Sequence, residues 1–363
     1  MNNKINKMSA ISIIVSVIIV HILSNLPQYL IHSNYSSSAI NTIFVTILAL
    51  IIGFIIIKLF KKFPNDDILD ISEFVAGSFF KKTIGIIFII SLITISALLI
   101  RNFSENLANI YFKNTHFPGI IIFFLLASCI LNRFGFKAIV RCNLIILPLV
   151  LISLIIIFFS TASYGSFQRF LPILGKGFNE TFIFGSTNIF SFGGLFLIYF
   201  IAPLVEKKEE LKSITSSSII ISGIYLLLSV ASLIILIPNI AELESTLSIY
   251  LVAREVEFGS FFQRLDAIFI LIWMLSVFSY CSIILYFIIN IFKKIFNLKH
   301  SKPMIYAFSL IILFVSLIPS NLTMLNTIFD IFYKYISLLL PFGLNIAILI
   351  IANIKKGGVK LNE

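Results

Sequence analysis

Charge is scarce in this sequence. Only 12% of its 363 residues are Asp, Glu, Lys or Arg, against 59% hydrophobic, and its mean hydropathy is +1.07. That balance excludes a soluble globular domain. Long hydrophilic stretches are lacking too. Connections between apolar runs stay short, as in 61–82, KKFPNDDILDISEFVAGSFFKK, so any activity has to reside within the apolar part of the chain. No nucleotide loop, metal signature or nucleophile motif is present, which argues against an enzyme and for no cofactor and no metal. Cys129, Cys142 and Cys281 sit in or beside apolar segments without CxxC spacing or a companion histidine cluster. They read as small buried side chains. The alternation of apolar and polar residues that marks barrel strands is missing as well: LIILPLVLISLIIIFF is apolar on every face.

What is present is a series of ten apolar runs, at about 8–31, 38–60, 83–100, 117–131, 138–160, 182–205, 217–238, 265–292, 303–319 and 328–354. Roughly 20 residues of helix cross a hydrocarbon core of about 30 Å, and helices satisfy their own backbone in lipid. The expected fold is therefore an all-α membrane protein with ten transmembrane helices. Lys4 and Lys7 ahead of the first run resemble the start of a signal peptide, but the run is too long and no clean cleavage site follows, so it counts as the first span.

The net charge of +11 comes from 27 Lys and Arg against 16 Asp and Glu. Their placement argues for membrane topology rather than for nucleic acid. The N-terminus, the C-terminus and the loops at Lys61, Arg133, Lys208 and Lys294 carry 20 of the 27, and the intervening loops carry 7. The positive-inside rule then puts both termini and those loops in the cytoplasm. Within 61–82, Ile68, Ile71, Phe74 and Val75 share one helical face after a Pro64 turn, which predicts a short amphipathic helix on the cytoplasmic surface.

Ten spans divide five plus five near 170–180, giving a first repeat over 1–165 and a second over 166–363. Because five is odd, the second half enters the membrane from the opposite side, the inverted-repeat plan of many secondary transporters. That plan breaks the first helix of each half. In the first span, HILSNLPQYL places Ser24, Asn25 and Pro27 in the apolar run, and Pro27 removes a backbone donor. In the sixth, STNIFSFGGLFLIYFIAPL places Gly193 and Gly194 mid-span, where each glycine costs a helix about 1 kcal/mol relative to Ala. Taken singly these are a proline kink and a packing pair. Taken together, in corresponding helices, they predict broken helices 1 and 6 and a ligand site formed by Ser24, Asn25, Asn188, Ser191, Gly193 and Gly194. His21, in the first span, reads as a packing or hydrogen-bonding side chain, with a ligand or proton role as the alternative.

One outer stretch concentrates charge. Residues 254–273, REVEFGSFFQRLDAIFILIW, hold Arg254, Glu255, Glu257, Arg264 and Asp266 among phenylalanines. A solvated loop with Asp266 capping the following helix accounts for part of this. The interleaved Phe258, Phe261 and Phe262 point further, to a lid or docking segment in which Glu255 or Glu257 pairs with Arg264.

The same stretch resembles a signature of the spore germination permease family, the B subunits of GerA-type nutrient germinant receptors. KKFPNDDILDISE (61–73), RNFSENL (101–107), NRFGFKAIVRCNLIILPL (132–149), LPILGKGF (171–178) and SFGGLF (191–196) are similar to further pieces of that family, in the same order. This chain departs from the family at Val20, His21 and Ile22, where a Gly-containing break is frequent, and at Leu195 and Phe196, where an acidic residue is frequent. The resemblance implies the amino acid, polyamine and organocation superfamily and its five-plus-five fold. It also implies a subunit in the inner membrane of a bacterial spore that binds a small nutrient, often an amino acid, and signals with partner A and C subunits to start germination. The competing reading is an ion-coupled amino acid transporter on the same fold. A membrane scaffold, the third, leaves the ordered motifs unexplained. Since the span interiors hold almost no ionisable residue except His21, the receptor is favoured over a coupled symporter.

Overall fold

The computed structural model describes residues 4–112, 115–161, 165–236, 248–255, 265–299 and 302–359. Among them there is no strand beyond one isolated bridge, Ile5 with Val205, and the regular elements are helices joined by short turns. Eight helical stretches are long and apolar enough to cross a membrane: Leu26–Phe60, Ile68–Ile110, Phe117–Phe134, Phe136–Thr161, Asn179–Leu204, Lys208–Leu236, Ala267–Ile295 and Leu322–Gly357. Two shorter apolar helices, Lys7–Leu23 and Lys302–Ser316, cover the first part of the first predicted run and most of the ninth; the end of the first run falls in Leu26–Phe60.

The shortness of α1 (Lys7–Leu23) has a structural counterpart. Every residue from Ser9 to Leu23 is buried, so this helix lies inside the protein rather than at its lipid-facing surface. Around it pack α6 (Phe136–Thr161), α8 (Leu211–Leu236), α10 (Leu265–Ile295) and a 3-10 segment, Phe184–Leu197. The outer helices show the complementary pattern. On α3 (Ser38–Phe60), Ile43, Ile47, Ile51 and Ile55 are exposed at fourfold spacing, and on α6 so are Ile145, Leu149, Ile152, Ile156 and Phe159. Apolar stripes of this extent are what hydrocarbon covers.

The amphipathic helix expected within 61–82 forms, but it is not a separate element. It makes the first two turns of α4 (Ile68–Ile110), which continues into the third span across a kink at Ala76 and Gly77, where Gly77 has φ +80°. A residue without Cβ reaches that backbone region freely. Asp67 caps the helix by accepting from the amides of Leu69 and Asp70, and Asp70 reaches back to the Asp67 amide, a capping box made from two aspartates. Lys294, at the end of α10, donates to Asp67 at 2.6 Å and Asp70 at 2.5 Å. Burial pushes the Asp67 carboxyl up from its usual range, against the opposing pull of the Lys294 ammonium.

Further bonds gather basic segments at this same end. Lys355 donates to the carbonyls of Phe74 and Val75 and Lys356 to that of Lys62, while Asn353 reaches the Leu59 carbonyl. Lys4 donates to the Pro203 carbonyl. At the other end, Lys176 donates to Ser33 O, Arg169 to Ile235 O and Asn102 to Asn326. Among the described residues the chain thus has a lysine-rich end and an opposite end with few basic groups.

Candidate ligand site at a pair of helix breaks

The first break separates α1 from α2 (Leu26–Asn34). The Ser24 amide and hydroxyl both donate to the Val20 carbonyl, at 3.2 and 3.0 Å, which closes α1. Asn25, at φ −107° and ψ 0°, precedes α2 without a side-chain cap bond, and Pro27 occupies its first turn, where a missing N–H is tolerated.

The second break is the 3-10 segment. Fourteen residues run in this tighter helix, with Phe192 out of helical geometry at φ −94° and ψ 21°, just before the glycine pair. Runs beyond about four residues are uncommon, because the hydrogen-bond geometry is poorer than in an α-helix. The glycines permit close approach on two sides. A Cβ on Gly193 would collide with the side chain of Ser337 on α12 (Leu322–Leu338), and one on Gly194 would lie 2.7 Å from Ile18 Cγ1 on α1. The packing role considered from sequence is therefore real, and it brings three distant parts of the chain together.

Where they meet is a buried cavity of about 20 Å³, bounded by His21, Gly193, Gly194, Tyr280, Tyr333 and Ser337 with apolar side chains between. That is room for about one water molecule. Three rings surround the imidazole of His21. Tyr333 stacks on it at 4.2 Å between centroids, Tyr280 presents its edge at 5.4 Å and Phe329 tilts at 6.1 Å. His21 is 3% exposed, and its Nδ1 has no hydrogen-bond partner among the described residues; the Tyr333 hydroxyl has none within bonding geometry there either, with the Ser337 side chain, one turn on, as its polar neighbour. Buried polar groups are nearly always bonded, so two orphans at one cavity mark a place where a polar group of a ligand or a water belongs. Among the described residues no carboxylate or ammonium borders the cavity, and no cluster of His, Cys, Asp or Glu could hold a metal ion. A charged ligand here would meet rings, hydroxyls and helix-break backbone rather than a counter-charge.

Of the six residues expected to line a site, Gly193 and Gly194 border this cavity; Ser24, Asn25, Asn188 and Ser191 do not. Asn188 donates to Asn41 Oδ1 at 2.8 Å, and Asn41 in turn donates to the carbonyls of Thr181 and Gly185. Its amide thus ties the 3-10 segment to α3. Ser191 is fully buried with an unpartnered hydroxyl. Tyr280, Tyr333 and Ser337 were not singled out from sequence. The available signal was Tyr333 and Ser337, four apart in one apolar span and so on one helical face.

A second polar junction was also missed. Asn143 Oδ1 on α6 accepts from Ser16 on α1 at 2.8 Å and from Ser279 on α10 at 2.5 Å, joining three helices beside α1. In the outer segment, Glu257 and Arg264 lie outside the described residues. Glu255 ends α9 (Ser248–Glu255) and Asp266 stands in the first turn of α10. Two of the sequence motifs do meet. Phe103 packs edge-on against Trp273, with 4.6 Å between centroids, while Arg101 pairs with Glu105 at 2.7 Å and lies 3.6 Å over the Phe117 ring.

Comparison with known proteins places this geometry. A family model described as "Spore germination protein" matches residues 4–324. The spore germination protein YndE of Bacillus subtilis (strain 168) is 22% identical over 321 residues, covering 86% of each chain. Among solved structures, a Na+-coupled sialic acid symporter in a substrate-bound outward-open state superposes with a TM-score of 0.69. It is 13% identical, and the match covers 96% of this chain and 79% of the symporter. MhsT in complex with L-phenylalanine gives a TM-score of 0.61 at 13% identity, over 95% of this chain and 98% of that one. At such identity the likeness shows the fold alone: with eight helical stretches able to span a membrane among the described residues, this is a multi-pass membrane protein with the fold of those transporters.

Proposed function

We propose a function from one premise: this chain belongs to the spore germination protein family. It acts as the membrane subunit of a nutrient germinant receptor in the inner membrane of the spore. A small nutrient, an amino acid in the favoured case, binds between the two helix breaks, and the chain signals to partner A and C subunits that germination start. The observation that carries the reading is the cavity at the breaks, where His21 Nδ1 and the Tyr333 hydroxyl are buried and unpartnered beside Gly193 and Gly194.

With α1 and α11 (Lys302–Ser316) counted as spans, the chain has ten, in two inverted repeats, 1–165 and 166–363, with both termini in the cytoplasm. The lysine-rich end is then the cytoplasmic one. A cavity of about 20 Å³ is too small for an amino acid, so binding requires the breaks to separate. Freed amides and carbonyls there answer a carboxylate and an ammonium, and Ser24, Asn25, Asn188 and Ser191 on the same two breaks complete the site as it opens. Glu255, Glu257, Arg264 and Asp266 form the outer lid or docking segment. Arg264→Glu is expected to impair germination, and a normal nutrient response in that variant removes the lid from this account.

The test of the site is Tyr333→Phe, which deletes one hydroxyl and keeps the ring stacked on His21. Losing one hydrogen bond to ligand, about 1 kcal/mol, raises the half-saturating nutrient concentration about fivefold. Germination of variant spores, followed as loss of optical density across a nutrient series, reads this directly. An unchanged curve at normal protein level refutes the placement. The second reading is an ion-coupled amino acid transporter, favoured by the likeness to a Na+-coupled symporter. Uptake by proteoliposomes driven by a sodium or proton gradient would select it.

A further inference from the structure

A second cavity lies far from the helix breaks, at the lysine-rich end. It is a cleft of about 730 Å³ where α3 ends and α8 begins. Lys58, Lys61, Lys208 and Lys212 line it, with Glu209 as the one acidic residue in its wall. Among the described residues none of the four ammonium groups forms an ion pair. The Lys208 ammonium donates to the Ala202 carbonyl at 2.7 Å, and that of Lys212 stands 5.1 Å from the Phe54 ring. Four cations against one carboxylate on one cleft, in a chain with so little charge, suit an anion.

The rest of the wall says which kind. Phe54, Ile57, Phe60, Pro64 and Leu211 make it largely apolar. From the cleft, Phe54, Ile51 and Ile47 climb one face of α3, and Ile220 and Ile224 climb α8, all exposed. Gly53 lets the two helices close on each other beneath this stripe, since a Cβ there would touch Ile219 and Thr215 at 3.0 Å. A soluble anion has no use for that stripe, whereas a molecule with a charged head and hydrocarbon tails fits both parts. Lysine stems lying on apolar surface with ammonium groups at the interface suit the same occupant.

We propose that this cleft binds an anionic phospholipid, with its phosphate among Lys58, Lys61, Lys208 and Lys212 and its acyl chains along the α3–α8 stripe. Basic pockets between transmembrane helices recognise headgroups in this way. The site is separate from the helix breaks, and its test does not depend on the nutrient reading.

The experiment titrates the purified full chain in detergent with phosphatidylglycerol, phosphatidylcholine or inorganic phosphate and follows the apparent Tm, which rises with any ligand that prefers the folded state. The triple variant Lys58→Gln, Lys61→Gln, Lys212→Gln is run beside it; Lys208 is kept because its ammonium already serves the Ala202 carbonyl. Phosphatidylglycerol alone should raise the apparent Tm, with half-saturation shifted about tenfold or more to higher lipid in the variant. An equal rise with phosphatidylcholine, an unshifted variant, or saturation of the effect by inorganic phosphate each overturns the proposal. If the triple variant elutes as an aggregate, Lys61→Gln, at an exposed position whose ammonium has no hydrogen bond among the described residues, is read in the same titration. It should shift half-saturation in the same direction by a smaller factor, and an unshifted curve overturns the proposal.

Discussion

Gly193→Ala adds one methyl group at the centre of the molecule, and its effect follows from two opposing terms. In a helical segment alanine is favoured over glycine by about 1 kcal/mol. Against this, the new Cβ lands on Cβ and Oγ of Ser337 and stands 3.2 Å from Ser337 Cα, so part of the collision is with backbone that cannot rotate away. Overpacking of this kind costs about 1–3 kcal/mol, which leaves a net destabilisation of about 1 kcal/mol. The added methyl also fills much of a cavity of about 20 Å³. Ser337→Gly removes the atoms it strikes, at a helix cost of its own of about 0.5 kcal/mol. The double variant should therefore be more stable than the sum of the two singles by about 1 kcal/mol or more. Apparent Tm of the four proteins in one detergent, at one scan rate, gives the coupling. If Gly193→Ala is more stable than the parent, or the two effects add within about 0.5 kcal/mol, the close approach of α12 to the glycine pair is not what holds glycine there.

Lys294→Met leaves Asp67 and Asp70 facing each other without their cation. Since Lys294 is 28% exposed and Asp67 8%, we expect a loss of about 1–2 kcal/mol, below that of a fully buried pair. Adding Asp67→Asn should recover part of it in the same thermal assay; equal stability of Lys294→Met and parent would show the cluster to be solvated. For topology, a cysteine at Lys208 in a background lacking Cys129, Cys142 and Cys281 should resist an impermeant reagent applied from outside, and labelling there would reverse the orientation.

Much of this molecule was legible before folding was considered, because the signals are local. Apolar runs set the span positions, and α3 begins and ends at the residues expected for the second span. Pro27 stands in the first turn of α2, just past the break it was expected to mark, and the one non-helical residue of the 3-10 segment, Phe192, directly precedes the Gly193–Gly194 pair; the grouping of lysines into alternate loops reappears, among the described residues, as one lysine-rich end. What stayed hidden was which way each helix faces. In a soluble helix the apolar stripe marks the core, but here lipid and protein interior are both apolar, so the stripe carries no direction and α1, α3 and α6 look alike in sequence. Only packing decided that α1 is buried from Ser9 to Leu23 while α3 and α6 expose isoleucines. It also decided that His21 meets Tyr280 and Tyr333, and that Lys294 meets Asp67, 227 residues away. Such encounters depend on the rotation of each helix about its axis, and that is fixed by close contacts such as Gly194 on Ile18 and Gly193 on Ser337 rather than by hydrophobicity.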